Sequence, residues 1–171
     1  MSVKETGASV RDRVSYEPIH RRRPLKLPGD ARVAVWTIVN VENWSPLAAM
    51  PRAVLPPPMG QPLLPDVPNW SWHEYGMRVG FWRFLETLQA RSLKATFAVN
   101  GSACSVYPEA CGAARDAGWE FMGHGFVQRP MHRVEDQAAA IADTIKAISD
   151  FTGRKPRGWE SPGLTVNVFS I

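Results

Sequence analysis

Long apolar runs are what this sequence most plainly lacks. No stretch approaches the ~20 residues needed to span a bilayer. The opening residues, MSVKETGASVRDRVSYEPIHRRRP, have no apolar core and no small-residue cleavage site, which argues against a secretory signal. Cysteine is scarce: Cys104 and Cys111 stand seven apart, a spacing that fits neither a CxxC motif nor a zinc knuckle. Two free thiols and no leader lead us to expect a cytoplasmic protein. No GxGxxG or Walker sequence follows any strand-like run, so a nucleotide cofactor is not expected. Net positive charge is missing from most of the chain as well. The net +4 of the 171 residues resides in residues 1–26, and the remainder holds thirteen basic and thirteen acidic residues. A nucleic-acid surface spreads its charge over a folded face, so neither nucleic acid nor membrane is expected as a partner. Residues 1–29 read as a basic, solvated arm centred on Arg21, Arg22 and Arg23.

What the chain has is alternation of strand and helix signals. Arg32 to Val39 (RVAVWTIV) is rich in β-branched residues and nearly continuously apolar, the pattern of a parallel strand buried on both faces. Met77, Phe81, Leu85 and Leu88 then mark an amphipathic helix over about 75–91. Lys94 to Val99 predicts a second strand, Pro108 to Ala117 a short helix capped by Gly118, and Glu120 to Gly123 a third strand. Val134, Ala138, Ile141, Ile145 and Ile148 give the clearest helical period, closed by Gly153. Arg157 to Trp159 reads as a fourth strand. Between the first strand and first helix, about 44–74, eight prolines stiffen a long connection, which we expect to be an ordered lid.

Parallel β/α units place ligands at the carboxyl ends of their strands. The residues expected there are Asn40 and Glu42, Asn100, His124, and Glu160. Glu42 can activate water, His124 can protonate a leaving nitrogen, and Glu160 is a second acid or base. Asn40 and Asn100 can donate to a substrate, although Asn100-Gly101 also reads as turn chemistry. Arg157 can meet developing negative charge or pair with Glu160. Trp44 and Trp72 offer faces for stacking, as does Trp70. His20, His73 and His132 read as surface or loop residues.

The strand-end NVE, the GHG of a later strand and RGWESPG together resemble the polysaccharide deacetylase (NodB-homology) family over about residues 30–165. That resemblance implies an α/β fold of parallel β/α units, a distorted (β/α)7 barrel, and hydrolysis of C–N bonds other than peptide bonds. The substrates it implies are small molecules or sugars: N-acetyl sugars, or cyclic amides in an allantoinase-like branch. The family's first motif supplies a catalytic Asp and a metal-binding acid, and Asn40 and Glu42 match its more widely spaced form. Its His-x3-His metal motif falls on His124 and Gln128, so the second ligand is lost. Zinc held by Glu42 and His124 is therefore the less favoured expectation, and no cofactor the favoured one. The family's later strands, with a further catalytic histidine motif, have no counterpart here. The expectation is a C-terminally truncated barrel over 30–171, possible as a homo-oligomer. The alternative is a non-catalytic fragment that binds carbohydrate or ureide.

Overall fold

The computed structural model describes residues 14–165. The first half of the basic arm thus lies outside the described residues, while Arg21, Arg22 and Arg23 are exposed. Three parallel strands form one sheet in the order β1 (Ile38–Val41), β2 (Thr96–Val99), β3 (Glu120–Gly123). Ile38 is level with Thr96 and Glu120, and Val41 with Val99 and Gly123. β2 is flanked on both edges, and Phe97, Ala98 and Val99 are wholly buried. The second and third strands fall where the sequence predicts them.

The first does not. Val35 is 88% exposed and Trp36 67%, and the ladder begins only at Ile38. Among the described residues β1 is paired along one edge alone, so an apolar run suited to burial on both faces is left partly in solvent. The expected fourth strand is reduced to a single parallel bridge between Gly123 and Trp159. Among the described residues the sheet therefore stays open.

The first helix is longer than its apolar spacing predicts. It starts with α1 (Val67–Tyr75), passes through a π turn at Gly76–Gly80, and continues as α2 (Phe81–Gln89). Asp66 caps it by accepting from the Asn69 amide, and Pro68 occupies the first turn, where its missing N–H costs nothing. Met77, Phe81, Leu85 and Leu88 are all buried, as their spacing requires. After β2 come α3 (Ala103–Val106) and α4 (Pro108–Asp116), with Gly118 at φ 71° just beyond the end. The last helix, α5 (Gln137–Thr152), begins three residues later than Val134 because the Asp136 carboxylate caps the Ala139 amide. Ile148 is its deepest apolar residue, and Ala138 is exposed.

The core fills the space between sheet and helices. Phe97 meets Phe121 edge-on at 4.9 Å, and Phe81 packs against both Phe97 and Trp119. Cys104 and Cys111 are free thiols buried in the same core. The proline-rich connection ends at Asp66, so Trp70 and Trp72 belong to α1 and not to a loop. It is tied down nonetheless: the Asn69 carboxamide accepts from the amides of Val54 and Leu55 and donates to the Leu55 carbonyl. The Asp66 amide also donates to the Pro46 carbonyl.

Candidate active site

The ladder runs one residue past the ends of the strands. The Asn100 amide donates to the Val41 carbonyl, and the His124 amide to the Val99 carbonyl. Glu42, Asn100 and His124 consequently stand side by side on the carboxyl rim of β1, β2 and β3. The Glu160 amide donates to the Gly123 carbonyl, which brings Glu160 up beside His124. Register alone, with side chains alternating along each strand, aligns these groups.

The glycines flanking His124 are there for space. A Cβ on Gly123 would lie 2.7 Å from the Trp159 ring. Gly125 has φ 76°, and a Cβ there would meet Pro162 at 2.7 Å. Between them His124 is held almost completely buried, with 2% exposure. Its Nδ1 is 2.8 Å from the Glu160 backbone carbonyl, so Nδ1 carries a proton and donates it. Its Nε2 therefore faces Glu42 Oε1, at 3.4 Å, a contact too long for a well-formed hydrogen bond. The Glu160 carboxylate is 3.7 Å from Nδ1.

Glu42 is engaged at its other oxygen too, where the Trp44 indole donates at 2.6 Å. Burial pushes the Glu42 carboxyl up, but His124, the Trp44 hydrogen bond and the charge of His73 together outweigh it. The carboxyl is held below its ordinary value. His73, which the sequence left as a loop residue, lies on α1 and stacks on Trp44 with ring centroids 4.6 Å apart. Burial lowers its pKa against the opposing pull of Glu42 and Glu74. His20 and His132 are exposed, as expected of surface residues.

A cleft of about 470 Å³ opens over these groups, within the range of small-ligand sites. Glu42, His124, Glu160, Asn40, Trp44 and Trp72 all line it. Two other expected residues do not. Asn100 is fully buried, with its oxygen accepting from the Asn43 amide and its nitrogen donating to the His124 carbonyl and to Gln128 Oε1. It clamps three strand-end loops together and has no atom facing the cleft. Arg157 stands at the opposite end of the sheet, 3.6 Å from Glu120, the first residue of β3. The cation of the cleft is Arg52 from the proline-rich connection. Nothing in the sequence signals Arg52, because an irregular segment carries no period. Gln128 also lines the cleft. With its oxygen turned to Asn100, its amide N–H groups remain as donors.

A catalytic zinc site wants three ligands drawn from His and carboxylate. Among the described residues no group of three or more His, Cys, Asp or Glu is arranged to hold a metal ion. Glu42 and His124 supply only two such donors, and Gln128 offers a carboxamide where an imidazole is needed. The donor set does not fit the metal that the sequence resemblance implies.

The fold and site define a parallel α/β protein with an acid–imidazole cleft at the carboxyl ends of its strands. A family model described as polysaccharide deacetylase matches residues 72–170. The chain belongs to that family. Among solved structures it is similar to a probable polysaccharide deacetylase from Pseudomonas aeruginosa PAO1, with 27% identity and a TM-score of 0.67. That match covers 85% of this chain and 52% of the other. The Puue allantoinase shares the fold, with 23% identity, a TM-score of 0.66, and coverage of 82% and 50%. A pseudoenzyme from Bacillus anthracis, BA3943, also shares it at 18% identity and a TM-score of 0.53, covering 78% of this chain and 36% of its own. The chain thus spans about half the length of the first two. No curated protein matches it. No helix among the described residues is long and apolar enough to cross a membrane.

Proposed function

We propose that this protein hydrolyses a C–N bond other than a peptide bond, in an N-acetylated sugar or a cyclic amide. The observation that carries the reading is the meeting of Glu42, His124 and Glu160 in one cleft on the strand rim. Glu42, anionic because its pKa is held down, takes a proton from water as the oxygen adds to the carbonyl carbon. The Gln128 amide and Arg52 meet the negative charge that develops on the carbonyl oxygen. Glu42 passes that proton to the bare Nε2 of His124, which hands it to the leaving nitrogen as the C–N bond breaks, and both groups return to their starting states. The Glu160 carbonyl keeps His124 in the tautomer this cycle needs. Trp72, half exposed on α1, offers the substrate a stacking face. The same reading takes the three strands and the Trp159 bridge as part of a distorted (β/α)7 barrel, in which the free edge of β1 receives another strand.

The test is release of acetate from N-acetylated sugars, or of new carboxylate from cyclic ureides. Glu42→Gln and His124→Ala should each lower turnover by roughly 10²–10⁴-fold while circular dichroism stays unchanged. Retained turnover in both variants would sink the assignment. One observation favours a second reading, a non-catalytic binding protein: both Glu42 oxygens already face partners, Trp44 and His124. Saturable binding of a sugar or ureide with no product formed would establish that reading instead.

A further inference from the structure

A cleft of about 660 Å³ opens at the amino end of the sheet, at the far end of β3 from His124. Helices α4 and α5 both finish at it, and β3 begins there. Beyond residue 26 the chain is electrically balanced, yet this cleft gathers Arg115, Arg154, Lys155 and Arg157 against one acid, Glu120. Lys94 adds an ammonium beside Gly118, 3.1 Å from where a Cβ would stand, and Asp116 pairs with Arg115 at 3.0 Å. Five cations against two acids leave three positive charges unbalanced. These cations are braced. Gly153 turns the chain out of α5 at φ 73°, the Arg154 amide donates to the Thr152 hydroxyl, and Pro156 stiffens the step to Arg157. The Arg115 guanidinium rests over the Phe151 ring, 5.5 Å from its centroid, which ties it to α5.

Local structure accounts for only part of this charge. The carbonyl ends of α4 and α5 each favour a nearby cation, but that attraction fades within the last turn, and Lys155 and Arg157 lie beyond it. Glu120 meets Arg157 at 3.6 Å with both side chains mostly in solvent, a pairing of little strength. A second observation is independent of charge. Trp119 lines the cleft, and its indole N–H is buried without an acceptor among the described residues. Such a donor is costly to leave unpaired. Guanidinium forks match phosphate oxygens two at a time, and the volume exceeds what a lone phosphate fills. We propose that this cleft binds a small organic phosphate monoester. Arg115, Arg154 and Arg157 hold its dianion, an oxygen accepts from Trp119, and Phe121 and Pro156 floor its organic body. No residue of this cleft lines the strand-rim cleft, so the inference is independent of the hydrolase reading.

Calorimetry of the full chain with phenyl phosphate and with inorganic phosphate tests it. Phenyl phosphate should bind with a Kd below about 1 mM, roughly threefold or more tighter than inorganic phosphate. The double variant Arg154→Gln, Arg157→Gln should weaken phenyl phosphate about tenfold or more. Both residues are exposed, so the fold tolerates the change. Replacing Arg21, Arg22 and Arg23 of the arm with glutamine removes more charge, yet should alter binding by less than about twofold. Phenyl phosphate should also shift the Trp119 indole ¹H–¹⁵N resonance, identified by its loss in Trp119→Phe. No saturable binding, equal affinity for the two phosphates, an equal loss in the arm variant, or an unmoved Trp119 resonance would each overturn the site.

Discussion

His124 shows how few residues decide the character of the site. Gly123 yields space to Trp159, Gly125 accepts a positive φ beneath Pro162, and the Glu160 carbonyl fixes which nitrogen is protonated. Glu42 then sets the acid limit of stability. Because its folded pKa is depressed, its contribution is fully present above the unfolded carboxylate value and lost as pH falls through the folded one. His73 acts in the same direction: buried with a lowered pKa, it must gain a proton on unfolding in mildly acid solution. Melting curves between neutral pH and pH ~3 should therefore show a smaller acid loss in Glu42→Gln than in the native chain. Parallel curves for the two proteins would refute the role given to Glu42. The side-chain chemistry of Glu42, His124 and Glu160 was legible in the sequence because each follows a strand signal. The inward duty of Asn100 was not, since a strand-end asparagine reads the same whether it serves a substrate or three loops.

The proline-rich connection and α1 behave as one element joined by Asn69. Its carboxamide, 3% exposed, ties Val54, Leu55 and Asp66 and so positions Arg52 over the cleft. Asn69→Ala should destabilise the connection by about 1–3 kcal/mol, the cost of buried groups left without partners. Limited proteolysis checks this: cleavage between residues 46 and 66 should quicken well before the core strands are cut. An unchanged cleavage rate would mean that the prolines alone hold the segment. The sequence anticipated an ordered connection from its prolines but started α1 too late. The buried stripe begins at Met77, whereas the N-terminal turns of α1 present Trp72 and Tyr75 to solvent and leave no apolar period to read.

At the scale of the described residues as a whole, the free edge of β1 is the outstanding feature. A groove of about 760 Å³ runs along it, walled by Ile38, Val39 and Val41 on the sheet and by Phe81 and Phe84 on α2. Val33, Val35 and Trp36 continue the exposed apolar surface upstream. Unpaired strand edges with apolar flanks favour association. Light scattering at rising concentration should show self-association of the native chain, and Val35→Lys should weaken it while leaving the fold intact. A native chain that stays at monomer mass, indistinguishable from the variant, would remove the edge as an association surface.

The sequence by itself determined the alternation of strands and helices, the exact span of β3, the apolar stripe of α2 and the caps at Gly118 and Gly153. Those features depend on near neighbours along the chain, through side-chain period and backbone freedom. Tertiary structure alone decided that the ladder starts at Ile38, that Arg157 faces away from the rim, and that Arg52 and Gln128 face into the cleft. It decided these because strand pairing and loop closure join residues far apart in sequence, where no local period records which partner is met.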